Sequence, residues 1–113
     1  MESTHYIAWF FGGALLANAL PHLVCGLMGR PFQSPFAHPP GQGHSSSTVN
    51  VLWGFFNLVL AWLLLCRVGS FELRSASHAA VLGLGLLLCS LFNAWGFGRF
   101  NGGNLRGEAQ PTL

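Results

Sequence analysis

The chain predicts an all-α integral membrane protein: three transmembrane helices, with a proline-rich loop between the first two. Three observations carry that prediction. Apolar stretches at residues 7–28, 49–66 and 78–98 fill most of the 113 residues. None of them contains Asp, Glu, Lys or Arg. Each is also long enough: a helix rises about 1.5 Å per residue, so some 20 residues cover the roughly 30 Å hydrocarbon core. Composition agrees. Charged residues make up 7% of the chain, against about 25% in ordinary soluble domains. Hydrophobic residues make up 51%, and the mean hydropathy is +0.48. A water-soluble fold of this size would leave large apolar patches bare. Residues 1–100 are read as one membrane domain, and a separate soluble domain is not expected.

The first stretch is tested against a secretory signal. Ala17-Asn18-Ala19 resembles a small-residue cleavage site. The segment before it carries Glu2 and no Lys or Arg, which is wrong for a signal peptide, so a retained span is expected. Pro21 lacks a backbone donor and crowds the carbonyl of Ala17, so a kink is expected there. The freed carbonyl needs a partner, which an Asn side chain could supply.

The loop 29–48 is the unusual segment. Pro31-Phe32 and Pro35-Phe36 repeat at a spacing of four, then Pro39-Pro40, Gly41 and Gly43 follow. The prolines forbid a regular helix and bias the residues before them to extended backbone. Two paths are open. The loop either dips into the mouth of the bundle or runs as a stiff surface linker with Phe32 and Phe36 as interfacial anchors. The second span follows a serine run, with Ser47 or Thr48 as its N-cap. The short polar segment 67–77 predicts that the second and third spans are antiparallel neighbours. After the third span, the tail 101–113 is polar and is expected to be disordered. Aromatic-glycine clusters recur around Trp9, Trp53 and Trp95, as expected of an interfacial belt.

Five arginines and no lysine give the chain its net charge of +2. Arg30, Arg67, Arg74, Arg99 and Arg106 are scattered at span ends, a pattern of membrane flanks and not of a nucleic-acid patch. Three of them share the side of the long loop and the tail, which points that side, and the C-terminus, to the cytoplasm. Cys25, Cys66 and Cys89 fall at three different depths, so no pair is expected to bridge.

Each span carries small and polar residues at helical spacing. The stripes are Phe11, Ala14, Asn18, His22, Cys25 and Gly29 on the first, Asn50, Gly54, Asn57 and Ala61 on the second, and Cys89, Asn93, Gly96 and Phe100 on the third. A lipid-facing surface has no use for Asn, so the stripes are expected to face one another. Depth places His22, Asn50 and Asn93 in the half nearest the long loop, with Asn18 and Asn57 near the middle. Asn18, His22, Asn50, Asn57 and Asn93 are thus either the lining of a half-membrane pocket or the hydrogen-bonding glue of the bundle.

The carboxylates Glu2, Glu72 and Glu108 all lie outside the spans and the long loop. That excludes paired-carboxylate catalysis and a Ser-His-Asp set, and argues against proton-coupled transport. The residual metal candidates are His22, Cys25, His38 and His44, a donor set suited to zinc or copper. No cofactor is expected. The reading that best fits is a non-enzymatic accessory subunit or homo-oligomeric bundle in the lipid bilayer. Small-residue faces at Ala8–Gly12 and at Gly83 and Gly85 serve as its docking sites. The alternatives are a channel or carrier for a small neutral solute, and a membrane-embedded metal or redox protein.

Overall fold

The computed structural model describes residues 2–103. It contains helices α1 (Glu2–Leu27), α2 (Ser47–Cys66) and α3 (Ala76–Asn101), and two short strands, β1 (Phe32–Gln33) and β2 (His44–Ser45). Each helix overlies one predicted stretch and is long and apolar enough to cross a membrane. The fold is therefore mostly helical, but not wholly so. β1 and β2 pair antiparallel, Phe32 with Ser45 and Gln33 with His44.

Local chemistry sets the helix ends. α1 runs through Pro21 without stopping. It ends where Gly29 takes φ 72° and the Arg30 N–H returns to the Cys25 carbonyl at 2.8 Å. A left-handed glycine just past a helix satisfies otherwise orphaned carbonyls in this way. α3 ends by the same device: Gly102 takes φ 75°, and the Gly103 N–H reaches the Gly98 carbonyl at 3.0 Å. Asn101 thus belongs to α3 and not to the tail; residues 104–113 of the predicted disordered tail lie outside the described residues. The cap of α2 is Ser46, one residue before the predicted pair, and its hydroxyl accepts from the Val49 N–H at 3.2 Å. The displacement follows from β2, which holds Ser45 extended and leaves Ser46 as the first residue free to cap. Ser75 caps α3 by accepting from the His78 N–H.

The packing corrects one expectation. α1 touches both other helices, whereas α2 and α3 make next to no contact with each other. Where backbones must approach closely, small residues decide the partner, and a short connection does not override them. A Cβ on Gly54 would meet the Leu23 nitrogen at 2.9 Å and the Ala19 carbonyl at 3.1 Å, so only glycine lets α2 lie this close to α1. On the other flank, a Cβ on Gly85 would fall on the Phe10 carbonyl. Gly85 is also the one buried residue of α3. Hence α1, with Ala17 and Ala19 buried on its length, is the central helix. It runs antiparallel to α2 and parallel to α3.

Two aromatic assignments also change. Phe11, placed on the polar stripe, is 53% exposed, because the inward face of α1 passes through Trp9, Gly12 and Gly13 instead. Trp9, expected in an interfacial belt, is buried. Its indole donates to the Val68 carbonyl at 2.9 Å, and the rings of Tyr6, Phe71 and His78 surround it at 4.3–5.5 Å. It holds the 67–77 turn against the start of α1.

Replacing Gly85 with leucine overpacks the α1–α3 seam and should cost about 1–3 kcal/mol. Gly96, whose absent Cβ faces open space, should accept alanine with no loss. Reversible unfolding in mild detergent measures both.

Candidate functional site

The polar residues of the three helices meet in two linked networks. Asn18 on α1 is the centre of the first. Its Nδ2 donates to Asn57 Oδ1 on α2 at 3.0 Å, and its Oδ1 accepts from Asn93 Nδ2 on α3 at 3.3 Å. One amide thereby ties all three helices at mid-depth. Asn57 donates in turn to the Trp53 carbonyl at 2.7 Å. The neighbouring Asn18 amide turns to Asn57 and not back to the Ala17 carbonyl, which Pro21 leaves without its helical donor.

The second network joins α1, α2 and the long loop. Asn50 is fully buried, and its Nδ2 donates to the carbonyls of Phe32, Ser45 and Ser46 at 3.0–3.2 Å. Those three acceptors fix the orientation of the amide, so its Oδ1 faces His22 Nδ1 at 2.7 Å as an acceptor. His22 Nδ1 must then carry the proton, and in the neutral ring Nε2 bears the lone pair. Nε2 has no partner among the described residues, yet every sealed side-chain polar atom has one. His22 itself borders open space.

That space is a furrow of about 350 Å³ between α2 and α3, floored by α1 and roofed by the loop. Asn18 and His22 form its floor, Trp53 and Phe97 its flanks, and Ser34, Pro35, Pro40 and Gly41 its roof. The furrow exists because α2 and α3 do not close on each other. The loop covers it by folding back on the bundle. Phe32 seats its ring 5.5 Å from His22 and 4.7 Å from Phe97, so it is a packed wedge and not an interfacial anchor. Phe36 stays 60% exposed beside Trp53. Ser34 and Ser45, both buried, bond to each other across the ladder. Gln33 and Asn101 exchange amide hydrogen bonds at 3.1 and 3.3 Å, fastening the loop to the end of α3.

Of the five predicted pocket residues, two line the furrow: Asn18 and His22. Asn93 lines an adjoining cavity of about 150 Å³ that shares Gly41 and Phe97 with it. Asn50 and Asn57 sit behind as buried supports. The predicted metal set does not assemble. Among the described residues no three His, Cys, Asp or Glu side chains come together to hold an ion. His22 Nδ1 is committed to Asn50, and His44 Nε2 lies 3.4 Å from Gln33 Nε2. All three cysteines are free. Residues missed from the sequence are Trp53, Phe97 and the roof of the loop. The aromatic-glycine clusters that hold Trp53 and Phe97 were the available signal, and interfacial aromatics are common enough to hide it.

No protein-family model, curated protein or solved structure matches this chain.

Two outcomes follow from the networks. A double-mutant cycle on Asn18→Leu and Asn93→Leu should return a coupling of about 0.6–1.7 kcal/mol, read by unfolding in detergent. Asn50→Leu removes the amide that holds the Phe32 and Ser45 carbonyls and releases the loop, so limited proteolysis should cut within residues 29–45 faster than in the parent protein.

Proposed function

We propose that the chain is an integral membrane protein of three spans. It does no catalysis of its own and serves as an accessory subunit of a larger membrane complex or as a homo-oligomer. The observation that supports this reading is the position of α3. Of the two other helices it packs on α1, the loop reaches it at Phe97 and Asn101, and Gly85 is its one buried residue. A broad face of it points outward, with Leu84, Leu87, Leu91, Phe92 and Trp95 exposed. In a bilayer such a face meets lipid or another helix. Of the small residues expected to dock partners, Gly12 packs on Leu65 and Gly85 on Phe10, so both are spent within the chain. Gly83 stays open, with nothing near its missing Cβ. A small residue on an exposed transmembrane face admits a second backbone.

The carrier reading draws less support. Asn18, Asn57 and Asn93 spend hydrogen bonds on one another, and one chain encloses no path between α2 and α3. In the orientation that the arginines favour, the loop, the furrow and the C-terminus face the cytoplasmic half.

Alkaline extraction should leave the protein in the membrane pellet, and release into the supernatant would contradict the three spans. Native mass spectrometry in mild detergent should show a multiple of the 12.2 kDa chain or a retained partner. Gly83→Leu should reduce that species without unfolding the chain. A folded, partner-free monomer overturns the assembly.

A further inference from the structure

We propose that the furrow and the groove beside it form one site for a membrane-soluble phenol or hydroquinone. The ring hydroxyl would donate to His22 Nε2, and an apolar tail would lie along α2. Four features of the chain carry this.

The first is the buried imidazole. His22 is 1% exposed and lines the furrow; its Nδ1 is held by Asn50, and its Nε2 has no hydrogen-bond partner among the described residues. In the neutral ring that nitrogen takes a hydrogen bond and gives none, so it selects a ligand with a donor. The second is the floor beside it. Asn18 uses one N–H on Asn57, and its other amide hydrogen has no acceptor among the described residues; it stands four residues from His22 on the same helix face. Residues at that spacing stand about 5–6 Å apart at Cβ. An acceptor and a donor so placed match the two oxygens of a para-substituted ring.

The third is the wall. Among the described residues no charged side chain lines the furrow, and its flanks are the rings of Trp53 and Phe97. Phe97 and Trp53 stand edge-on to the His22 ring, with interplanar angles of 88° and 75°. Flat apolar flanks favour a flat uncharged head group. The volume, about 350 Å³, lies at the small end of ligand sites. The fourth is adjacency. A second groove of about 550 Å³ runs beside the furrow and shares Trp53 with it; Phe36, Val49, Leu52 and Phe56 complete its lining. Every one of those five side chains is apolar or aromatic, as a hydrocarbon tail requires. A polar end and a greasy end joined at one tryptophan describe an amphipathic ligand, entering sideways from the bilayer.

The site lies within one chain. It shares the membrane setting of the proposed function but does not depend on assembly, so a monomeric protein leaves it standing.

The test uses the full chain in lipid nanodiscs and isothermal titration with 4-nonylphenol, against its methyl ether 4-nonylanisole. The ether replaces the O–H donor with a methoxy group and keeps the ring and the tail. Saturable binding near one phenol per chain is expected, with the ether about tenfold weaker, as loss of one buried hydrogen bond implies. Equal affinity for the two, or uptake that never saturates, overturns the proposal, since either means partition into lipid. His22→Phe should erase the preference for the phenol; a folded His22→Phe protein that keeps it overturns the role of the imidazole. Should that variant fail to fold, the comparison of phenol with ether on the parent protein still decides. Phe36→Ala should weaken 4-nonylphenol and leave 4-methylphenol unchanged, and equal losses for both would remove the groove from the site.

Discussion

An amide in apolar surroundings must find its hydrogen bonds inside the protein, and the arrangement of this chain turns on how Asn18 and Asn50 do so. Asn18 reaches α2 with its nitrogen and α3 with its oxygen. It can do both because it stands on the helix between them. Asn50 instead takes three carbonyls from the loop and the start of its own helix. The first residue sets the lateral order of the helices, and the second sets where the loop closes. An unsatisfied amide at either position would cost more than the hydrogen bonds contribute, and this asymmetry makes the arrangement specific.

Closure of the loop follows. Proline rings remove donors and glycine allows tight turns, so a segment with little regular structure can be buried with its polar groups met. The Gly41 N–H bonds to the Ser34 carbonyl, and the Gly43 N–H to the Pro39 carbonyl, at 2.8 and 2.9 Å. Irregular backbone at membrane depth is tolerated where protein covers it. Here the cover is mutual: the loop roofs α1, and Phe32 packs its ring on His22 and Phe97. The opposite end is built differently. There Trp9, ringed by Tyr6, Phe71 and His78, needs only one hydrogen bond to hold the short turn. One end is thus a packed aromatic plug, and the other is a roofed furrow lined by an imidazole.

That contrast bears on function. A furrow persists only where helices fail to meet, and α2 and α3 fail to meet because both take their close contacts from α1. The glycines that bring them to α1, Gly54 and Gly85, are therefore as much the origin of the furrow as the residues that line it. Asn50 adds the chemistry. By anchoring its own amide in backbone carbonyls, it dictates which nitrogen of His22 carries the proton.

The sequence alone determined the number of helices, their approximate extent, and the polar half of the molecule, because length and uncharged composition depend only on local order. It also determined the inward stripe of α2: Asn50, Gly54, Asn57 and Ala61 are all buried, since helical periodicity marks a face without knowledge of the partner. The tertiary structure alone decided which helix is central, which amide meets which, and that Phe32 turns inward while Phe36 does not. It also dispersed the four metal candidates, because a shared depth on a helix says nothing about the path of a loop. These are choices among partners distant in the chain. They rest on how closely two backbones can approach, and on where a buried amide can find its acceptors, neither of which is written in the spacing of residues along one helix.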